Sequence, residues 1–262
     1  MRASAKHRAH APFNEHLPAP VYFRFAEMPA DSAYPQHRHA WGEFVYAYSG
    51  VMEVRIGERH WLTPAGYGLW LPPQLTHQGL NRDEASHGSL YICAQLAAQM
   101  PAEACAMAVS PLTRSLLDHL KNTRPALPYS EADERLLRVL VDQLLNTPAT
   151  GSYLPGAADP LLSEALALIA AQPDKPVTLA ALAAQLHTTE RTLSRRARRD
   201  LGMTLSQWRS RLRVIEAIKR LEQGVRVETI AFDLGYASAS ALIAMFRRET
   251  GTTPDEYRRR QT

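Results

Sequence analysis

The sequence predicts an α+β protein of two domains. The N-terminal domain is β-rich, of barrel or sandwich type, with helices behind it. The C-terminal domain is all-α and carries two helix-turn-helix units. Three observations point this way. Short aromatic and β-branched runs alternate with turn residues from Val21 to Cys93. Apolar residues at helical spacing take over from Pro111 to Asn146. The last 102 residues contain the same helical pattern twice.

The strand-like runs are VYFRF, EFVYAYS, VMEVRI, RHWL, GLWL and SLYIC. Ser49-Gly50, Gly57-Glu58, Pro64 to Gly68 and Pro72-Pro73 separate them as turns. Leu112, Leu116 and Leu120 then form one helical stripe. Leu136 or Leu137, Leu140 and Leu144 form another, behind Ser130 as N-cap. Two such stripes exceed what a closed barrel needs, so this segment is expected to join two copies of the chain as a homodimer. TPATGSYLPGAADP, from Thr147 to Pro160, has no period and reads as a linker. The expected boundaries are 1–100 for the β domain, 101–147 for a helical dimerisation segment, 148–160 for the linker and 161–262 for the repeat.

The first copy of the repeat runs from Leu179 to Gly202 and the second from Val227 to Gly251. In the opening helix of each, one apolar stripe is formed by Leu179, Leu182, Ala183 and Leu186, then by Val227, Ile230, Ala231 and Leu234. These match at an offset of 48. Beyond the turn the offset is 49: Leu193 with Leu242, Arg198-Arg199 with Arg247-Arg248, Gly202 with Gly251. Between the copies, Thr204 to Gln207 is a capping box. It opens a helix that stops before Gly224, with Trp208, Leu212, Ile215, Ile218 and Leu221 as its stripe. At 1.5 Å per residue its length is roughly 28 Å, close to the ~34 Å of one DNA turn. Thr253 to Glu256 is a second capping box.

The formal net charge of +4 is unevenly placed. Leu161 to Thr262 holds 17 Lys/Arg against 11 Asp/Glu, a balance of +6, while residues 1–160 hold the other 13 and 15. A basic repeat with a basic second helix in each unit points to two recognition helices on double-stranded DNA. The first begins at Thr189 as N-cap and offers Arg191, Thr192, Ser194 and Arg195 to base edges. The second begins at Ser238 and offers Ala239, Ser240, Ile243 and Ala244, suited to thymine methyls or to holding the backbone. Arg247 and Arg248, with Arg209, Arg211 and Arg213, are phosphate candidates.

These hundred residues resemble the AraC/XylS family of transcription regulators, above all in GYASASALIAMFRRETGTTPDEYR. The resemblance implies promoter binding, often as a dimer, under a small molecule sensed by the N-terminal domain. RNA polymerase is a further candidate partner. His187 stands where the family often has glycine, so the first turn is expected to be strained or differently shaped.

In the β domain, His37, His39 and Glu43 share parity, so on one strand they would face the same way. With His77 from a neighbouring strand, three imidazoles and a carboxylate converge, a set suited to Zn, Ni, Fe, Mn or Cu. The spacing resembles both cupin motifs, H-x-H-x3-E-x6-G and G-x5-P-x-G-x2-H-x3-N, with Asn81 last and Gln74 in place of a glycine. By that resemblance the domain is a cupin β-barrel with the site in its mouth and no organic cofactor. The same four residues also read as a hydrogen-bonded cluster lining an effector pocket. Trp41, Tyr46, Tyr48, Trp61, Tyr67 and Trp70 are candidate walls.

Two functions compete. One is a regulator whose barrel senses a small molecule or a metal. The other is a metal-dependent cupin enzyme, of dioxygenase or isomerase type, fused to a DNA-binding module. The N-terminus lacks the apolar core of a signal peptide, no run nears the ~18 apolar residues of a membrane span, and there are two cysteines, Cys93 and Cys105. A cytoplasmic protein without a membrane partner is expected.

Overall fold

The computed structural model describes residues 7–8, 16–57, 59–64, 66–81, 84–147, 149–150, 153–157 and 159–259. The chain divides into two compact units, Met1–Tyr153 and Leu154–Thr262.

The first unit is built on two facing sheets. One has the order β1 (His7–Arg8), β3 (Ser32–His37), β8 (His77–Asn81), β5 (Val51–Ile56), β6 (Arg59–Pro64). The other has β11 (Ala149–Thr150), β10 (Cys105–Ala108), β7 (Tyr67–Leu71), β4 (Gly42–Ser49), β9 (Ala85–Ile92), β2 (Val21–Met28). All pairings are antiparallel except β1 with β3. Alternation along each strand sorts side chains to two faces. Val45, Leu69 and Leu71 of the second sheet meet Val54 of the first, and Met28, Ala47 and Ala85 meet Tyr34 and Met52.

The opposite face of the second sheet carries Phe23, Phe44, Tyr46, Trp70, Leu90 and Ile92. It is covered by α2 (Pro111–Thr123) and α3 (Glu131–Leu145), through Leu117, Leu120, Leu137, Leu140, Val141 and Leu144. A short α1 (Ala94–Ala97) precedes them. Gly42 lets the Trp70 ring cross β4, since a Cβ there would lie 2.1 Å from Trp70 Cη2. Ser110 caps α2, and Ser130 with Asp133 forms a capping box on α3, as its sequence requires.

Several expectations change here. The buried stripe of α2 is Thr113, Leu117 and Leu120, one position from the expected one, and Leu112 is 53% exposed. Residues 101–147 are no separate dimerisation segment: β10 joins the sheet, and both helical stripes cover its outer face. The surplus apolar surface that argued for dimerisation through these stripes is therefore already buried. Part of the expected linker is also ordered against the β unit, through β11 and the fully buried Tyr153 beside Tyr67. Tyr46, Tyr48 and Trp70 pack under the helices.

The second unit is all helix. α4 (Pro160–Ala171) starts at Asp159, whose carboxylate accepts from the Leu162 N–H. The first helix-turn-helix is α5 (Leu179–Gln185) with α6 (Glu190–Leu201), and the second is α8 (Val227–Asp233) with α9 (Ala239–Thr250). α7 (Leu205–Glu222) joins them, and α10 (Pro254–Arg259) closes the unit. The capping box of α7 is Thr204 with Gln207. Its 18 residues span roughly 27 Å. Its burial is wider than a single stripe. Val214 and Ala217 are buried beside Trp208, Ile215, Ile218 and Leu221, because α7 packs against α4 on one side and against α8 and α9 on the other.

Both units turn in the same way. In the first, His187 N–H bonds to Ala184 O and Thr188 N–H to Ala183 O; in the second, Gly235 bonds to Phe232 and Tyr236 to Ala231. These are matching left-handed C-caps. His187 has φ 48° where Gly235 has φ 72°, so the histidine keeps the glycine turn and carries its strain. Among the described residues, no helix is long and apolar enough to cross a membrane.

Candidate metal centre and nucleic-acid interface

His37, His39 and Glu43 do not lie on one strand. His37 ends β3, His39 sits in the connection, and Glu43 is in β4, so the chain crosses from one sheet to the other between them. The convergence survives because His37 and His77 are register partners across β3 and β8. Their ring centroids are 4.4 Å apart, and His39 lies 5.1 Å from His77 and 5.8 Å from His37. One nitrogen from each of the three lies within 4.8 Å of the others. The Pro72–Gln74 turn holds the connection, since Gln74 N–H donates to His39 O at 2.8 Å. Gln74 takes φ 64° there, the conformation of the glycine it replaces.

Each imidazole is anchored through Nδ1 to a backbone carbonyl two residues away. His37 bonds to Pro35 O at 2.8 Å, His39 to Trp41 O at 2.7 Å and His77 to Leu75 O at 2.9 Å. A carbonyl only accepts, so each Nδ1 carries the hydrogen and each Nε2 is left for the centre. Glu43 Oε2 lies 3.2 Å from His39 Nε2 and 3.7 Å from His77 Nε2. His77 Nε2 is buried without a hydrogen-bond partner among the described residues. Burial alone would raise the Glu43 carboxyl, but its hydrogen bond with His39 and the close approach of the His77 imidazole hold it well below the usual range. Burial also pulls His77 down, and Glu43 outweighs it and raises it. His37, with burial as the main cause, is lowered.

Three inward nitrogens and one acidic oxygen, with Nδ1 outer anchors on every ring, form a donor set that fits a divalent transition metal. In its absence a proton must sit between Glu43 and an imidazole, because acceptors would otherwise face one another. Asn81 serves the fold: its Nδ2 donates to Pro29 O at 2.9 Å and ties down the β2–β3 turn. Trp41 stacks on His39 at 5.1 Å. Behind the cluster a cavity is lined by Tyr34, Val45, Met52, Leu71, His87 and Tyr91, among others. Neither tyrosine was singled out from sequence. Tyr34 lies in SAYPQH, whose proline argues against a strand, and Tyr91 lies in the apolar run SLYIC.

On the recognition helices, Thr189 and Ser238 are the N-caps expected, accepting from the N–H groups of Thr192 and Ala241. Arg191 and Arg195 are exposed on α6. Thr192 and Ser194 are half-buried: Thr192 bonds to Thr189 Oγ1 at 2.9 Å, and Ser194 lines a cleft with Leu182, Arg198 and Leu205. On α9, Ser238, Ser240 and Ala244 are exposed, and Ala239 and Ile243 are half-buried. Arg247 faces solvent, and Arg248 pairs with Glu249 at 3.1 Å. Arg209 and Arg213, expected at phosphates, donate instead to the carbonyls of the 173–175 loop. Arg196 turns to Asp159 and Arg199 to Asp200.

Residues 20–168 match the model described as the AraC-like ligand binding domain, and residues 182–260 match that of a helix-turn-helix domain. The first match alone spans more than half of the chain. The chain belongs to the AraC family of transcription regulators. The HTH-type transcriptional regulator NimR of Escherichia coli is 30% identical over 228 residues, 87% of this chain and 83% of that protein. The regulator RipA of Corynebacterium glutamicum is 27% identical over 221 residues, 81% of this chain and 60% of that protein. Among solved structures, ToxT from Vibrio cholerae is similar at a TM-score of 0.40 and 12% identity, over 93% of this chain and 98% of that one. This AraC-family chain thus carries a ligand-binding β unit and a helix-turn-helix unit.

Proposed function

We propose that this regulator binds an operator through α6 and α9 in adjacent major grooves, and that its β unit is a cytoplasmic sensor built around a divalent transition metal. The supporting observation is the convergence of one nitrogen each from His37, His39 and His77, every ring anchored through Nδ1, with the Glu43 carboxylate beside two of the three. When bound, the metal supplies a cationic centre with an open face for an effector or for signalling its own presence. The role is regulatory, not catalytic, in keeping with relatives named as transcriptional regulators. The working form is a homodimer that meets RNA polymerase at the promoter. The exposed Leu112 and Val139 on α2 and α3 are candidates for the dimer contact.

On α6, Arg191 and Arg195 are the base-reading candidates, since both are exposed on the helix that would enter the groove. Replacing His37 and His39 together by Ala tests the metal. The double variant should lose stoichiometric metal by elemental analysis while still binding DNA. A variant that keeps the metal would overturn the ligand assignment. One that loses it and regulates normally would leave a polar cluster without a sensing role.

A further inference from the structure

The first helix-turn-helix carries a cavity that reading DNA does not explain. It holds about 310 Å³, inside the roughly 300–1,000 Å³ of small-molecule sites. Ile169 of α4, Leu182 of α5 and Leu205 of α7 are buried in its wall, and Val177 and Leu179 stand half-buried beside them. Ser194 and Arg198 of α6 and Arg209 of α7 supply its polar side. Ser194, a base-reading candidate by sequence, thus faces this space.

The polar side has one sign. Among the described residues two guanidiniums line the cavity and no carboxylate does. Arg198 is exposed and makes no ion pair among the described residues, although Arg196 and Arg199 beside it are taken by Asp159 and Asp200. Arg209 is held by the carbonyls of Pro173 and Lys175, which orient it and leave its charge without a carboxylate partner. An apolar wall facing two such cations complements a molecule with an apolar body and one acidic group.

The cavity also adjoins the reading face. Ser194, Arg195 and Arg198 follow Arg191 at i+3, i+4 and i+7, so all four share one side of α6.

We propose that the helical unit binds a small amphipathic anion in this cavity. Its acidic group sits on Arg198 and Arg209, and its body lies on Ile169, Leu182 and Leu205. The bound anion puts negative charge beside Arg191 and Arg195 and repels DNA phosphates there, so it lowers operator affinity without acting through the β unit.

The test uses the full-length protein with naphthalene-2-sulfonate and 4-phenylbutyrate as probes and naphthalene-2-sulfonamide as neutral control. Binding is read by calorimetric titration without DNA, then by operator affinity at saturating probe. At least one anion should bind saturably, about tenfold or more tightly than the sulfonamide. Val177→Phe, which fills the cavity from one side, should abolish that binding and leave operator affinity in the absence of probe unchanged. Arg198→Gln should weaken the anion about tenfold and leave the sulfonamide as it was, and it decides the matter if Val177→Phe fails to fold. Saturating anion should lower operator affinity of the unsubstituted protein and not of Val177→Phe. No saturable binding of either anion, equal binding of the sulfonamide, full anion binding by either folded variant, or operator affinity indifferent to the bound anion would overturn the proposal. An Arg198→Gln variant that weakens the operator while neither anion binds would make Arg198 a DNA backbone contact alone. The calorimetric arm needs no DNA, so the cavity and the operator reading can fail separately.

Discussion

The two turns of the repeat make a matched pair whose glycine substitutions should act in opposite directions. At position 187 a histidine occupies the left-handed region at φ 48°, and at the equivalent 235 a glycine sits at φ 72°. A residue with a Cβ is held there at roughly 1–2 kcal/mol. His187 is exposed, so removing its side chain exposes no core. Glycine's extra freedom in the unfolded chain returns roughly 0.4–1 kcal/mol of the gain. His187→Gly should therefore stabilise the helical unit by about 0.5–1 kcal/mol, and His187→Ala should be nearly neutral. Gly235→Ala meets the same backbone strain and a steric one as well. Its Cβ would lie 1.9 Å from the carbonyl oxygen of Asp174, in the loop that Arg209 and Arg213 hold. The expected loss is roughly 3 kcal/mol. Urea denaturation of the full chain, followed by the helical circular dichroism signal, separates these values. A destabilised His187→Gly, or a Gly235→Ala as stable as His187→Ala, would refute the reasoning.

Other predictions are as direct. Burial pushes His87 down to about 4, so between pH ~6.5 and ~4 the unfolded chain binds more protons than the folded one, and stability falls as pH falls. His87 should account for about 3 kcal/mol of that loss, and His87→Leu should flatten this limb of a Tm-against-pH curve; an unchanged limb would contradict the buried neutral imidazole. Arg195→Ala should weaken operator binding by ~1–3 kcal/mol and relax the preference at one base pair, read by site selection. Metal uptake should weaken as pH falls, because the cation displaces the proton held between Glu43 and an imidazole; uptake independent of pH would argue against that competition.

What the sequence made legible followed local rules. Helical spacing and capping residues placed α5 to α9, since Thr189, Thr204 and Ser238 cap helices by short-range bonds that need no tertiary partner. The strands that hold His37 and His77 were harder. SAYPQH carries a proline and HQGLN lacks alternation, and both become strands because the sheet pairs them. The cluster was found through its spacing, although the parity argument behind it fails at the turn before β4. The fate of the α2 and α3 stripes was not legible, because periodicity shows that a face is apolar and not what covers it. Arg209 makes the same point for charges, since it turns onto a loop.

The central claim is that both helix-turn-helix units read one DNA site. Hydroxyl-radical footprinting of the full-length protein on a selected operator tests it most directly, repeated across a range of salt. The account predicts protection on one face of the duplex over two successive major grooves per monomer, fading steeply as salt rises. Protection confined to a single groove, or binding insensitive to salt and sequence, would contradict it.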